Sequence, residues 1–326
     1  MTESTASARS RAIAMLVLAT LYWGLSFPVI KALTTLNRIR FPDGGSWFVS
    51  AQAVAPRFVA AVILMLVFRG LPDGLPTLAE AGQGLVVGLF AAAGALLQTD
   101  GMQFTDASTS AFLTQFSAIL VPAWIAVRNR RSPGLLVWAC CAIVLVGVAI
   151  LGHFDWRTLR FGRGGWETLL SAAAYTGQIL WIGKRKYAGN RPETVTLIMF
   201  AVQAVAFSWL AVETAPNPRA LIAPWFSPVW VVLTLALTIV CTIGAFSLMT
   251  RWQPLISETQ AGLIYCIEPV FASMFALFLP AIISRFSAID YPNERATVSL
   301  LIGGGLVTVA NVLIQMKAPS GEPVSN

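Results

Sequence analysis

Charged residues are scarce in this chain. They make up 11% of 326 residues, where a soluble domain carries about 25%. With 56% hydrophobic residues, that deficit excludes an ordinary water-soluble domain and points to a membrane-embedded protein. Histidine occurs once, as His153 in a polar connection, so imidazole chemistry inside a membrane is excluded. Cysteine is sparse too. Cys140, Cys141, Cys241 and Cys266 all fall in apolar stretches, with no CxxC and no partner histidine. Neither a disulfide framework nor a metal site is expected. Gly82-Gln83-Gly84 lacks the Lys-Ser/Thr of a phosphate loop, so no nucleotide and no other cofactor is expected. The net charge is +7, yet the cations sit singly or in short runs such as Arg128-Asn129-Arg130-Arg131 and Lys184-Arg185-Lys186. That placement excludes a nucleic-acid partner and suits loops touching anionic lipid heads.

Long apolar runs are what the chain has instead. A helix needs about 20 apolar residues to cross roughly 30 Å of hydrocarbon. Ten stretches meet or approach that length: 13–33, 48–68, 78–98, 107–127, 134–151, 166–184, 194–213, 228–250, 259–280 and 296–315. Turn-forming clusters separate them, among them Phe41-Pro42-Asp43-Gly44-Gly45 and Ala215-Pro216-Asn217-Pro218. The runs are apolar throughout, without the alternating polar face of a β-barrel strand. The expected fold class is therefore an all-α integral membrane protein of ten transmembrane helices.

The chain also repeats itself. Ala19, Tyr22, Gly24 and Lys31 recur at the same spacing as Ala172, Tyr175, Gly177 and Lys184. Gly94-Ala95, Gln103, Ala111 and Leu113 recur as Gly244-Ala245, Gln253, Ala261 and Leu263. The offset is about 150 residues in both cases, close to half the chain, and the chain has only five tyrosines and four lysines. Two five-helix units are expected, residues 1–160 and 161–326. An odd number of spans per unit makes the second enter from the opposite side, so the repeats are inverted. On that reading Lys31 ends its helix on one side of the membrane and Lys184 on the other. Inverted membrane duplications are the mark of transporters that rock one half against the other. Ile13 to Thr20 has the look of a signal-peptide core, but its repeat partner around Ala172 lies mid-chain, so the first segment is expected to be retained. Placing both termini in the cytoplasm gives a slight excess of Lys and Arg on the inner side, as expected for inverted halves. Trp47, Trp156, Trp166, Trp225 and Trp252 fall near span ends, as interface residues do.

Arg57 and Glu268 are the two charges deepest in the expected spans, each about ten residues, or ~15 Å of helix, from a span start. A lone charge at that depth costs at least ~2.5–3.5 kcal/mol, so both should face an aqueous cavity or each other. They either form a pair that locks helices together or serve a site. In the second reading Glu268 carries a proton or meets a substrate cation, and Arg57 steers an anionic group. Pro269 beside Glu268 removes a helix donor and would leave the Tyr265 carbonyl open. Such interruptions are tolerated where they line a cavity, and Pro28 and Pro122 are expected to interrupt the first and fourth helices alike. Trp23 and Phe27 lie one turn apart beside Pro28, and Tyr175 and Gln178 occupy matching depth in the sixth helix. With Tyr265 they would hold planar or cationic solutes by stacking and cation–π contact; Gln115 in the fourth helix is a further candidate. Packing against lipid or neighbours is the alternative for the rings. Gln98 sits at a span end, where water suffices to explain it.

Several stretches resemble EamA-type proteins of the drug/metabolite transporter superfamily. Trp23-Gly24-Leu25-Ser26-Phe27-Pro28-Val29-Ile30-Lys31 is similar to their opening helix, and Pro56-Arg57-Phe58 to their second. Thr105-Asp106-Ala107-Ser108 leading to Val121-Pro122 resembles the junction of the third and fourth helices. Ala261-Gly262-Leu263, Glu268-Pro269-Val270-Phe271 and Glu294-Arg295 resemble the ninth helix and the start of the tenth. The resemblance implies two inverted five-helix repeats around a central cavity, and export, less often uptake, of small organic solutes such as amino acids, metabolites or drugs. The long connection 281–293 departs from the family's short link.

The expected function is thus secondary active transport across the inner membrane by alternating access, with Glu268 as coupling residue, and no enzymatic activity. Its partners would be a small organic solute and membrane lipid, the protein being a monomer or homodimer. The alternative is an integral-membrane enzyme acting on lipid-linked substrates, which needs clustered carboxylates or histidines at the membrane boundary. Asp100, Asp106 and His153 are the material available for it.

Overall fold

The computed structural model describes residues 2–69, 74–104, 113–151, 162–287, 289–293, 295 and 297–317. Among these residues the chain is helical, with no strand. The first half holds α1 (Thr2–Arg40), α2 (Ser46–Arg69), α3 (Leu78–Gly101), α4 (Ser117–Asn129) and α5 (Leu135–Leu151). The second half holds α6 (Arg163–Ile182), α7 (Pro192–Thr214), α8 (Pro228–Ala236), a π-helical stretch (Leu237–Gly244) continuing into α9 (Ala245–Trp252), then α10 (Glu258–Tyr265), α11 (Glu268–Ala276), α12 (Leu279–Ser287) and α13 (Val298–Lys317). Five described helical runs are long and apolar enough to cross a membrane, or six if the bent run from Glu258 to Ser287 counts as one. The protein is an all-α integral membrane protein.

Helix starts follow capping chemistry. Thr77 and Glu80 form a reciprocal capping box at α3, and Ser257 and Gln260 form another at α10. The ninth expected span does not run straight. Cys266 and Ile267 donate to carbonyls three residues back, at 3.1 and 3.0 Å, which closes α10. Pro269 then sits in the first turn of α11, where a missing N–H costs nothing.

Some sequence expectations change here. α1 does not end at Lys31 but continues to Arg40, and it runs through Pro28. α4 likewise contains Pro122 without a break. Membrane helices tolerate proline when neighbours satisfy the freed carbonyl, so of the three prolines only Pro269 accompanies a broken helix. The stretch 281–293 is not a plain connection: α12 occupies its first half, bent by 57° from the α10–α11 run. The motif at Thr105–Ser108, with His153, Trp156 and Glu294, lies outside the described residues.

α3 packs along α6 and α7, α2 along α7, α5 along α13, and α1 along α11 and α9. Small residues set these approaches. A methyl on Gly84 or Gly88 of α3 would lie 2.7 or 2.8 Å from Ile198 or Val202 of α7, and one on Gly147 of α5 would lie 2.8 Å from the Gly303 carbonyl of α13. Two ion pairs fix the ends. At the end of α3, Asp100 meets Arg163 at the start of α6 at 2.6 Å. At the start of α3, Glu80 meets Arg191, just before α7, at 2.7 Å. α6 is therefore antiparallel to α3 and α7 parallel to it. Arg38 near the end of α1 bonds Gln103 at 2.5 Å, so it lies at the Asp100 end. Lys184, just past α6, lies at the Glu80 end.

Candidate functional site

The deep polar residues gather where α1, α2, α3, α6, the π-helical stretch and α10–α11 meet. Arg57 projects from the middle of α2 and is half-buried; its guanidinium carbon lies 4.8 Å from the Phe58 ring centroid. Its Nε is buried without a hydrogen-bond partner, and its backbone carbonyl accepts from the Thr238 hydroxyl of the π-helical stretch at 3.3 Å. Glu268 opens α11 and is also half-buried. Arg57 and Glu268 form no ion pair with each other, and neither has another ion-pair partner among the described residues. The locking ion pair weighed from the sequence is therefore absent from this conformation.

Tyr175 is held from two sides. Its hydroxyl donates to Gln98 Oε1 at 3.0 Å, and Gln98 Nε2 donates to Thr114 Oγ1 at 3.4 Å. Its ring lies against Gly94, where an added Cβ would come within 2.5 Å. The repeat partner of this contact is present too: Tyr22 lies against Gly244, but more loosely, at 3.3 Å. Beside Tyr22 and Gly244 a cavity of about 360 Å³ opens between α1, α7 and α9.

Aromatic rings form the adjoining wall. Trp23 of α1 meets Tyr265 and Phe246 edge-on, both with centroids 5.3 Å away. The Trp23 Nε1–H is buried without a partner. The Tyr265 hydroxyl donates to Gln253 Oε1 at 2.8 Å, and Gln253 Nε2 donates to the Ile179 carbonyl at 2.7 Å, tying α10 to α6.

The structure thus brings Trp23 to Tyr265, and Tyr175 to Gln98 and Gly94. The other expected residues stand apart. Phe27 is half-buried and makes no ring contact among the described residues. Gln178 is buried and turned to α7, its Nε2 3.9 Å from Met199 Sδ. Gln115 is buried in the turn before α4, its carbonyl accepting from Ala118 N–H at 2.9 Å.

Three residues given no site role from the sequence belong to this arrangement: Gln98, Phe246 and Gln253. Gln98 is one helical turn beyond Gly94 on the same face, so a ring seated on Gly94 reaches it with its hydroxyl. That spacing was available in the sequence. Gln253 stood in the repeat without a role, and Phe246 had no marker beyond its nearness to Gly244.

Residues 10–152 match the EamA-like transporter family, as expected of an EamA-type protein of the drug/metabolite transporter superfamily. No curated protein matches. A solved structure titled only "Crystal structure of protein" is similar at TM-score 0.67 and 16% identity, over 94% of this chain and 97% of that one. Likeness at that identity speaks to the fold alone.

Proposed function

We propose that the chain is a secondary active transporter that exports small organic solutes (amino acids, metabolites or drugs) across the inner membrane by alternating access. The observation that carries this is a pair of opposite charges, Arg57 and Glu268, kept deep in an apolar bundle without pairing to each other. Charges held so are expensive, and a solute or proton that visits them accounts for the cost. Trp23, Tyr265 and Phe246 would supply an apolar wall and Tyr175 a hydroxyl to the site. Glu268 would accept a proton on one side of the membrane and release it on the other.

Ten spans in two inverted five-helix units, residues 1–160 and 161–326, are part of this reading. The reciprocal contacts of Tyr175 on Gly94 and Tyr22 on Gly244 support it, because an inverted repeat turns each into the other. The unequal tightness of the two contacts suits a conformation open on one side. Both termini would be cytoplasmic, and the protein would work as a monomer or homodimer.

The enzyme alternative finds less support. Asp100, one of the residues it would need, is engaged by Arg163 at 2.6 Å.

The test starts with a thermal-shift panel of amino acids, amines and toxic metabolites on purified protein. A stabilising solute is then followed in proteoliposomes under an imposed pH gradient. Gradient-driven accumulation is expected, and Glu268→Gln should lose it while still unfolding cooperatively. Undiminished driven transport by Glu268→Gln would remove Glu268 from the coupling role.

A further inference from the structure

The cavity beside Tyr22 and Gly244 is lined by none of the residues proposed to meet solute. It lies at the Glu80 end of the bundle, where α7 starts and α9 ends, with α1 as its third wall. Its lining runs from Arg251 and Trp252 down to Gly244, roughly 10 Å of helix. Chemistry changes along that depth. Glu193 in the first turn of α7 and Arg251 in the last turn of α9 stand at the rim, one charge of each sign. Below them Leu18, Ile243 and Leu248 make the wall apolar.

The hydrogen bonds separate the polar groups already used from those still open. Thr196 and Thr250 are bonded to each other at 2.6 Å and to carbonyls of their own helices. Ser247, one turn before Arg251 on the same face, keeps its hydroxyl buried without a partner. Glu193 and Arg251 do meet, but at 3.7 Å and with side chains 44% and 63% exposed. A pair so long and so wet costs little to separate. Arg251 also lies over the Trp252 ring, 5.8 Å from its centroid, and indole settles at the headgroup level of a bilayer. Both rim charges are compensated, so the ligand they suit carries one charge of each sign and no net charge.

From the opposite charges at the rim, the unanswered Ser247 hydroxyl and the apolar wall beneath them, we infer that this cavity holds the headgroup of phosphatidylethanolamine. Glu193 accepts from the ammonium and Arg251 donates to the phosphate, each as a charge-assisted bond. Ser247 donates to a further oxygen of the same headgroup, and the chain-bearing end turns to the apolar wall. Phosphatidylcholine has the same net charge, but its quaternary nitrogen has no N–H to give Glu193. Phosphatidylglycerol offers Glu193 no cation at all. Soluble phosphoethanolamine shares the headgroup chemistry, and the test separates it from the lipid. The site stands whether or not the chain carries solute.

Full-length protein in detergent is titrated with phosphatidylethanolamine, its N-methyl and N,N-dimethyl forms, phosphatidylcholine, phosphatidylglycerol and soluble phosphoethanolamine. Thermal unfolding and lipid retention by native mass spectrometry follow the binding. Affinity should fall as methyls replace N–H groups, with phosphatidylcholine the weakest of that series and phosphatidylglycerol no better. This series needs no variant, so misfolding cannot mimic it. Equal binding of phosphatidylethanolamine and phosphatidylcholine, or tighter binding of phosphatidylglycerol, would overturn the assignment. Soluble phosphoethanolamine binding as tightly as the lipid would also overturn it, by giving the cavity to a small solute. Glu193→Gln should weaken phosphatidylethanolamine binding about fivefold and erase most of its advantage over phosphatidylcholine. An advantage that survives intact would remove Glu193 and the inference with it. Ser247→Ala tells a ligand group from a brace. The lipid-free variant should unfold no lower than the parent, since it loses an unpartnered hydroxyl, while its affinity for the lipid falls about fivefold. Unchanged affinity there would count against the headgroup placement.

Discussion

At the scale of single residues, the question is whether a deep polar group is there for stability or for ligand. Arg57 separates the two. Its Nε is buried without a partner and it pairs with no carboxylate among the described residues. Removing the charge should therefore relieve a cost, at least ~2.5–3.5 kcal/mol on insertion scales. Arg57→Leu is expected to unfold at the same or a higher temperature in detergent and yet to carry no solute in liposomes. A large drop in unfolding temperature would instead mark Arg57 as a brace between α2 and the π-helical stretch. Tyr175 calls for the milder change. Tyr175→Phe keeps the ring on Gly94 and deletes the donor to Gln98, an interaction of about 1 kcal/mol. Solute binding should weaken about fivefold, which is that energy expressed as affinity. Titration of the solute identified by thermal shift measures it.

At the scale of elements, the two tyrosine–glycine contacts make unequal predictions. A Cβ at Gly94 would sit 2.5 Å from a ring already pinned by Gln98, whereas at Gly244 the distance is 3.3 Å beside open space. Gly94→Ala should cost about 1–3 kcal/mol by overpacking. Gly244→Ala should be near neutral, because roughly 0.5–1 kcal/mol of helix propensity offsets a small adjustment. Unfolding in mixed detergent ranks the pair, and equal costs would contradict the asymmetry. The glycines themselves were legible in the sequence as repeat positions, and so were the tyrosines, which stand out because the chain has only five. That the two types face each other was not legible. Spacing along one helix fixes a face, while the partner of that face is set by how separate helices pack. The same limit explains the ninth span. Pro269 announced a break, but the sequence could not say that two upstream residues would tighten the turn and make Glu268 the first residue of a new helix. Pro28 and Pro122 carried the same signal and broke nothing. Glu80, at the other end of α3, lies inside the apolar run 78–98 and carries no mark of its role in the sequence. It turns out to cap the helix and bind Arg191 at once, and Glu80→Ala should cost about 2–4 kcal/mol, since it strands a partly buried cation and opens a cap.

At the scale of the whole molecule, handedness of insertion decides whether a doubled chain works as an alternating carrier or only as a bundle. Ion pairs at both ends of α3 set α6 against it and α7 along it. The end of α1 joins the Asp100 end through Arg38 and Gln103, and the turn after α6 joins the Glu80 end. The two helices whose sequences match, α1 and α6, therefore finish at opposite ends of the bundle, and the proposed inverted repeat rests on that placement. If the bundle spans the bilayer, residues at those two ends face different compartments. Arg40→Cys and Lys186→Cys place thiols at exposed positions on the two ends. The native Cys140, Cys141, Cys241 and Cys266 are all buried, so they add little background. In intact cells a membrane-impermeant maleimide should label Arg40→Cys readily, and Lys186→Cys only after the membrane is permeabilised. The reverse order would keep the inverted repeat and turn the termini outward. Labelling of both from one side would separate this fold from alternating access, because the halves would then share one orientation and have no second state to exchange into.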